Sequence, residues 1–275
     1  MRTKIIYFSI ISLVLIAGIV VWFNYDWFKL VFAAGNDSNT VSLLHMNGTD
    51  GSTTFTDNAA GGTHTWTANG NAQIDTAQSK FGGASGLFDG VNDNLSTPDS
   101  DDWNFGAGDF TIDFWVRFNT VLGAGQVMGF WDVEDVSGYY QQMKVYYNAP
   151  NSWYFHFAVS KVGGGALTLE REVTTLVTGQ WYHMALTRNG DSWRWFRDGV
   201  QMGSTGTVSG TQDNVADTVY IGAWEDLSND FDGWLDEFRV SKGLARWTAN
   251  FTPPTCEYNG GCGPPPKVPD IMVFE

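Results

Sequence analysis

The feature that most constrains this chain is a repeated alternation of apolar and polar residues in short runs, each closed by Gly, Asn or Asp. In residues 109–118, Phe110, Ile112, Phe114, Val116 and Phe118 share one side of an extended strand; Thr111, Asp113, Trp115 and Arg117 take the other. Trp153, Phe155, Phe157 and Val159 alternate with Tyr154, His156 and Ala158, and Tyr182, Met184 and Leu186 alternate with His183 and Thr187. A period of two puts successive side chains on opposite faces of a pleated strand, so these runs predict strands buried on one face. Asn189-Gly190 and Asp198-Gly199 supply the positive-φ residues of tight turns and bracket a short strand around 193–197. About a dozen such strands, with turns every 8–12 residues or so, predict an all-β fold: a two-sheet antiparallel jelly-roll sandwich. No internal period marks a repeat array.

Composition narrows the partners. The 275 residues carry a formal net charge of -15, and Arg2, Lys4 and Lys29 against Asp26 make the leading segment positive and the remainder more acidic still. Such a surface repels phosphate backbones and anionic headgroups, which argues against nucleic acid and favours cations or neutral partners such as sugars.

Three regions follow from the pattern. Residues 1–35 form a membrane anchor or signal segment: the uncharged run Ile5 to Phe23 follows Arg2 and Lys4 and is long enough to cross a bilayer with its N-terminus inside. Either it stays as an anchor, with Tyr25 and Trp27 at the interface, or it is cleaved near Ala33 or Ala34. Both readings place the rest outside the cytoplasm, anchored or secreted. Residues 36–255 form the sandwich. Residues 256–275 are a Cys- and Pro-rich tail, with a strand-like end at 271–274. Cys256 and Cys262 flank Glu-Tyr-Asn-Gly-Gly, a spacing that suits a local disulfide; a link to another chain or two free thiols are the alternatives.

The ordered motifs resemble a family. Leu43-Leu44-His45-Met46-Asn47-Gly48, Phe81-Gly82-Gly83-Ala84-Ser85, Phe88-Asp89-Gly90, Trp181-Tyr182-His183-Met184-Ala185, Tyr220-Ile221-Gly222 and Gly233-Trp234-Leu235-Asp236-Glu237-Phe238-Arg239-Val240 occur in that order. Over roughly residues 41–254 the chain resembles the laminin-G-like and pentraxin-like jelly rolls of the concanavalin A-like lectin/glucanase superfamily. That fold hosts lectins, adhesion modules, enzymes and structural parts, so function must come from a site. Asn47 stands where many relatives carry Asp, and Asn94 where an aromatic often follows the preceding Asp.

Hydrolysis finds no matching motif. Two carboxylates must flank a scissile glycosidic bond, and the superfamily's glucanases present them on one strand as E-x-D. Here Glu225-Asp226 and Asp236-Glu237 are adjacent, which on a regular strand points them apart, and Asp230-Phe231-Asp232 falls in a loop context. The four histidines, His45, His64, His156 and His183, lie in separate runs, and no zinc-protease or nucleophile-elbow motif appears. Non-catalytic carbohydrate recognition is the expected function, with Trp131, Tyr139, Tyr146 and Trp224 as ring-stacking platforms. The alternative is a cell-surface structural or adhesion protein that self-assembles or binds a surface protein. The resemblance further implies a calcium ion near Asp50, Asp57 and Asp236. Strand alternation would put Asp236 with Trp234, Phe238 and Val240, and an inward carboxylate needs a proton, amide donors or a hard cation.

For the tail, non-reducing peptide mapping should recover Cys256 and Cys262 in one linked peptide from monomeric chains; an intermolecular link or two alkylatable thiols would overturn the local pairing.

Overall fold

The computed structural model describes residues 35–258, except 121, 124–125, 149–151, 174 and 225–228. The apolar run 5–23, Cys262 and the end of the tail therefore lie outside the described residues. Among the described residues no helix is long and apolar enough to cross a membrane.

The alternating runs become strands of two antiparallel sheets, as the sequence predicts. They are β1 (Thr40–Leu44), β2 (Thr67–Asn69), β3 (Gln73–Asp75), β4 (Ser85–Asp89), β5 (Asn94–Thr97), β6 (Phe110–Phe118), β7 (Val127–Glu134), β8 (Tyr140–Asn148), β9 (Ser152–Ser160), β10 (Ala166–Val173), β11 (Trp181–Asn189), β12 (Ser192–Arg197), β13 (Val200–Gln201), β14 (Gly206–Thr207), β15 (Val219–Ile221) and β16 (Asp232–Lys242). Sheet A runs β13-β12-β11-β6-β16-β4-β3, with β1 also on β16 and β14 on β12; sheet B runs β10-β9-β8-β7-β15-β5-β2.

Between the sheets the inward residues of both layers interdigitate. Phe114 of sheet A stacks on Phe238 at 5.2 Å and meets Phe130 of sheet B at 5.1 Å. Each fully buried ring of this kind contributes roughly 1.5–3 kcal/mol by leaving water.

Simple alternation fails on the outer face of sheet A. Every residue of β6 except Arg117 is buried, Thr111, Asp113 and Trp115 included. The reason is tertiary: the segment after β16 folds back over this face. Trp247 and Phe251 stack at 4.0 Å and set their rings edge-on to His183, while Tyr258, three residues past the boundary read from sequence, is wholly buried.

β16 departs from alternation too. Its register with β6 shifts between Asp236 and Arg239, and Glu237 sits at φ 50. This bulge inserts an extra residue and reverses the pattern beyond it. Trp234 and Asp236 pair with Arg117 and Trp115 on the outer face, whereas Val240 pairs with Ile112 of the core and Phe238 stacks on Phe114 there. The expectation that Asp236 shares a side with Phe238 and Val240 is thereby corrected. So is the opposed orientation of Asp236 and Glu237: Glu237 also reaches the covering segment, accepting from the Tyr258 amide at 2.8 Å and pairing with His45 Nδ1 at 2.6 Å.

Under the cover lies a buried ionic network. Arg239 holds both oxygens of Asp113 at 2.9 Å, and its guanidinium lies 3.9 Å from the Tyr258 ring. His183 Nε2 stands 2.9 Å from the Tyr258 hydroxyl and 3.5 Å from Asp113. Burial by itself would raise the Asp113 pKa; the Arg239 charge and the His183 contact outweigh it and bring the value down to about 2. Burial leaves His183 below its usual value, so the imidazole is neutral at pH 7.

Replacing Asp113 by Asn strands a buried guanidinium, and chemical denaturation at pH 7 should show a loss of about 3–5 kcal/mol. Because the folded pKa of Asp113 is depressed, its contribution is full above about pH 4 and drains as pH falls toward 2. The variant should lack that part of the acid dependence; equal stability of variant and parent would disprove a supporting role for the pair.

Candidate functional site

With one face of the sandwich covered, the outer face of sheet B is the broad open one. In β8, Gln141, Met143 and Val145 turn inward, while Tyr140, Gln142, Lys144 and Tyr146 face out and are half-buried. In β9, Phe155 and Phe157 are wholly buried and Tyr154 and His156 face out. The registers Tyr146↔Tyr154 and Lys144↔His156 make these four residues two neighbouring cross-strand pairs. Tyr146 and Tyr154 stack at 5.4 Å with 17° between planes, and the Tyr146 hydroxyl donates to the Glu170 carboxylate of β10. The edge of His156 faces the Tyr146 ring at 6.3 Å.

A loop walls this surface. Ala223 and Trp224 cross directly over β7 at Gly129, where any Cβ would lie 2.2 Å from the Ala223 carbonyl oxygen and 2.5 Å from the Trp224 Cβ. Only glycine permits this approach. The crossing delivers the Trp224 ring beneath Lys144, whose ammonium is 3.6 Å from the ring centroid. The result is a polar floor between two aromatic elements, the tyrosine pair and Trp224. Buried His156 Nδ1 and Trp224 Nε1 have no hydrogen-bond partner among the described residues. Burial, then the charge of Lys144, lowers the His156 pKa below the usual 6.5. The site therefore offers a neutral imidazole, aromatic faces, one ammonium and carboxylates at its rim.

Of the four platforms predicted from sequence, the structure brings Tyr146 and Trp224 to this face. Tyr139 is exposed in the β7–β8 turn, next to Tyr140 at the start of β8. Trp131 is a correction: it is fully buried, donates Nε1 to Gln141 at 2.8 Å and stacks on Phe238 in the core, so no ligand reaches it. A register shift of β7 between Gly129 and Trp131 turns the indole inward. Lys144, Tyr154 and Gly129 were missed. The parity of β8 and β9 groups Lys144 with Tyr146 and Tyr154 with His156, but the crossing at Gly129 left no local signal.

The calcium set does not assemble. Asp57 is buried and accepts from Ser42 Oγ, the amides of Leu43, Ala59 and His64, and Trp66 Nε1, which leaves its oxygens no room for a cation. Asp50 accepts from the Thr76 amide and hydroxyl. Asp236 accepts the Lys80 and Phe81 amides on one oxygen, and burial raises its pKa well above the usual carboxylate value, favouring the neutral acid. No group of three or more His, Cys, Asp or Glu among the described residues is placed to hold a metal. These residues do not fit a calcium ion. Cys262, and with it the local disulfide expected from the sequence, lies outside the described residues, as does Glu225-Asp226. Asp230 accepts the Asn92 amide, and Asp232 accepts from Asn119 and Thr120.

A family profile described as the concanavalin A-like lectin/glucanases superfamily matches residues 89–246. The chain belongs to this superfamily. No curated protein matches its sequence. Among solved structures, the binding domain of Paraclostridial Mosquitocidal Protein 1 matches with a TM-score of 0.55 and 16% identity, over 76% of this chain and 50% of that one. Domain 4 of AbnA, a GH43 extracellular arabinanase from Geobacillus stearothermophilus, solved with arabinotriose, matches at 0.54 and 16%, over 75% and 94%. The botulinum neurotoxin serotype D ligand binding domain, solved with N-acetylneuraminic acid, matches at 0.55 and 13%, over 78% and 50%. This superfamily member thus shares a lectin-like jelly roll with binding domains, and spans about half the length of the toxin chains.

The electrostatics of the face can be read directly. In an NMR titration the His156 midpoint should fall below 6.5, and Lys144→Gln should move it upward. A midpoint at or above 6.5 in the parent would contradict the packing described.

Proposed function

We propose that this protein is an extracytoplasmic, non-catalytic carbohydrate-recognition module that binds sugar on the outer face of sheet B. The observation that carries this reading is the open polar floor bounded by stacked Tyr146 and Tyr154 on one side and Trp224 on the other. A pyranose presents an apolar face and a hydroxyl rim. The rings meet the first, while Gln142, Lys144, His156 and Glu170 offer donors and acceptors to the second. The rim carboxylates favour neutral sugars here. Binding of arabinotriose by one neighbour and of N-acetylneuraminic acid by another is in keeping with sugar as the ligand class. The apolar segment 5–23 would hold the module at the outer side of a membrane or direct its export.

A neutral-glycan array probed with the full-length protein, followed by calorimetry on the best ligand, tests this. Tyr146→Ala and Trp224→Ala should each weaken binding about tenfold or more, equivalent to roughly 1.4 kcal/mol, with unchanged melting. Absence of saturable sugar binding together with concentration-dependent self-association would replace this reading with the structural one.

A further inference from the structure

Sheet A is not covered along its whole length. Beyond the reach of Trp247, Phe251 and Tyr258, one cross-strand row stays half-exposed: Gln73, Leu87, Trp234, Arg117 and Trp181 lie directly opposite one another on β3, β4, β16, β6 and β11. The guanidinium of Arg117 sits 4.9 Å from the Trp234 ring centroid, an arrangement that leaves edge N–H donors free for a ligand. Two residues along β6 on the same face, about 7 Å away by strand rise, Trp115 carries Lys80 over its ring at 3.8 Å. Lys80 also feels the carboxylates of Asp198 and Asp236, and the Trp234 Nε1 donates to Asp75 at 2.6 Å, whereas the Arg117 guanidinium makes no ion pair or side-chain hydrogen bond among the described residues. In a chain with 30 acidic and 15 basic side chains, Arg117 is thus a half-exposed cation on an indole with no carboxylate bound to it. Trp181, next to Arg117, makes no ring stack or hydrogen bond among the described residues.

The row opens into a cleft of about 430 Å³. Gln73 and Leu87 belong to both, and Thr53, Asn71 and Asp89 complete its polar wall. Together these elements form a groove with cations and the Trp181 indole at one end, and at the other amide and hydroxyl groups with the Asp89 carboxylate, which accepts from Asn71 at 3.0 Å.

We infer that this groove is a second binding site, separate from sheet B, for a short saccharide bearing a carboxylate. Arg117 takes the carboxylate through two parallel N–H donors, with Lys80 as the supporting charge. Trp181 stacks on the sugar ring, and Gln73 and Asn71 meet the hydroxyls of the next unit in the cleft. Net negative charge elsewhere excludes long polyanions, while the local pair selects a single anionic group on a short chain.

Calorimetry on the full-length protein in detergent, with trigalacturonate as probe and maltotriose and a sulfated trisaccharide as comparators, tests the assignment. Saturable trigalacturonate binding is expected, weakening as salt rises from 50 to 300 mM or so. Arg117→Gln should reduce it at least tenfold, and Lys80→Gln and Trp181→Ala several-fold, whereas Tyr146→Ala with Trp224→Ala should leave it unchanged. Trp181→Ala removes no side-chain hydrogen bond or ring contact among the described residues, so it reads the site even if Arg117→Gln melts early. The proposal is overturned if the parent does not bind trigalacturonate, if Trp181→Ala binds as the parent does, or if the sheet B double variant abolishes binding. Tighter binding of the sulfated sugar would overturn the carboxylate assignment.

Discussion

The buried pairing of Arg239 with Asp113 is the contact on which the asymmetry of this molecule depends. A guanidinium and a carboxylate, both wholly inaccessible, sit on the outer face of a sheet where water would ordinarily solvate them. Their desolvation is tolerable only because each satisfies the other and because the aromatic rings of Trp247 and Tyr258 lie against the guanidinium. The network therefore needs the covering segment, and the covering segment needs the network. Arg246, reaching Asp37 and Thr40, ties the same segment to the start of the domain, so both ends of the described chain close over one sheet.

Closing one face leaves the other open to solvent. Sheet B keeps half-buried polar and aromatic residues outward on β8 and β9, and the crossing at Gly129 raises a wall beside them. A flat polar sheet by itself offers no concavity. Trp224, brought in by the loop, supplies one. The same logic accounts for the groove on sheet A: where the cover ends, Arg117 and the indoles beside it remain in contact with solvent.

The bulge at Glu237 links these two stories. It turns Glu237 toward His45 and the Tyr258 amide while leaving Leu235, Phe238 and Val240 in the core. Without the extra residue, one of those groups would change faces. A left-handed backbone at a glutamate carries strain, and the two contacts made by its carboxylate offset it.

The sequence by itself determined the fold class, the strands around 109–118, 153–159, 182–187 and 193–197, and the turns at Asn189-Gly190 and Asp198-Gly199. Each is encoded locally, by a period of two or by residues that tolerate positive φ. It also grouped Tyr154 with His156, since parity along a strand is local. Parity cannot say which face of a sheet will be covered. That was decided by Trp247, Phe251 and Tyr258, more than fifty residues from parts of the surface they bury. The bulges at Glu237 and between Gly129 and Trp131 each reversed an inferred orientation, placing Asp236 off the core face and Trp131 within the core. Alternation assumes an unbroken register; a single inserted residue inverts everything beyond it, and the pairing that selects the insertion exists only once the strands have met.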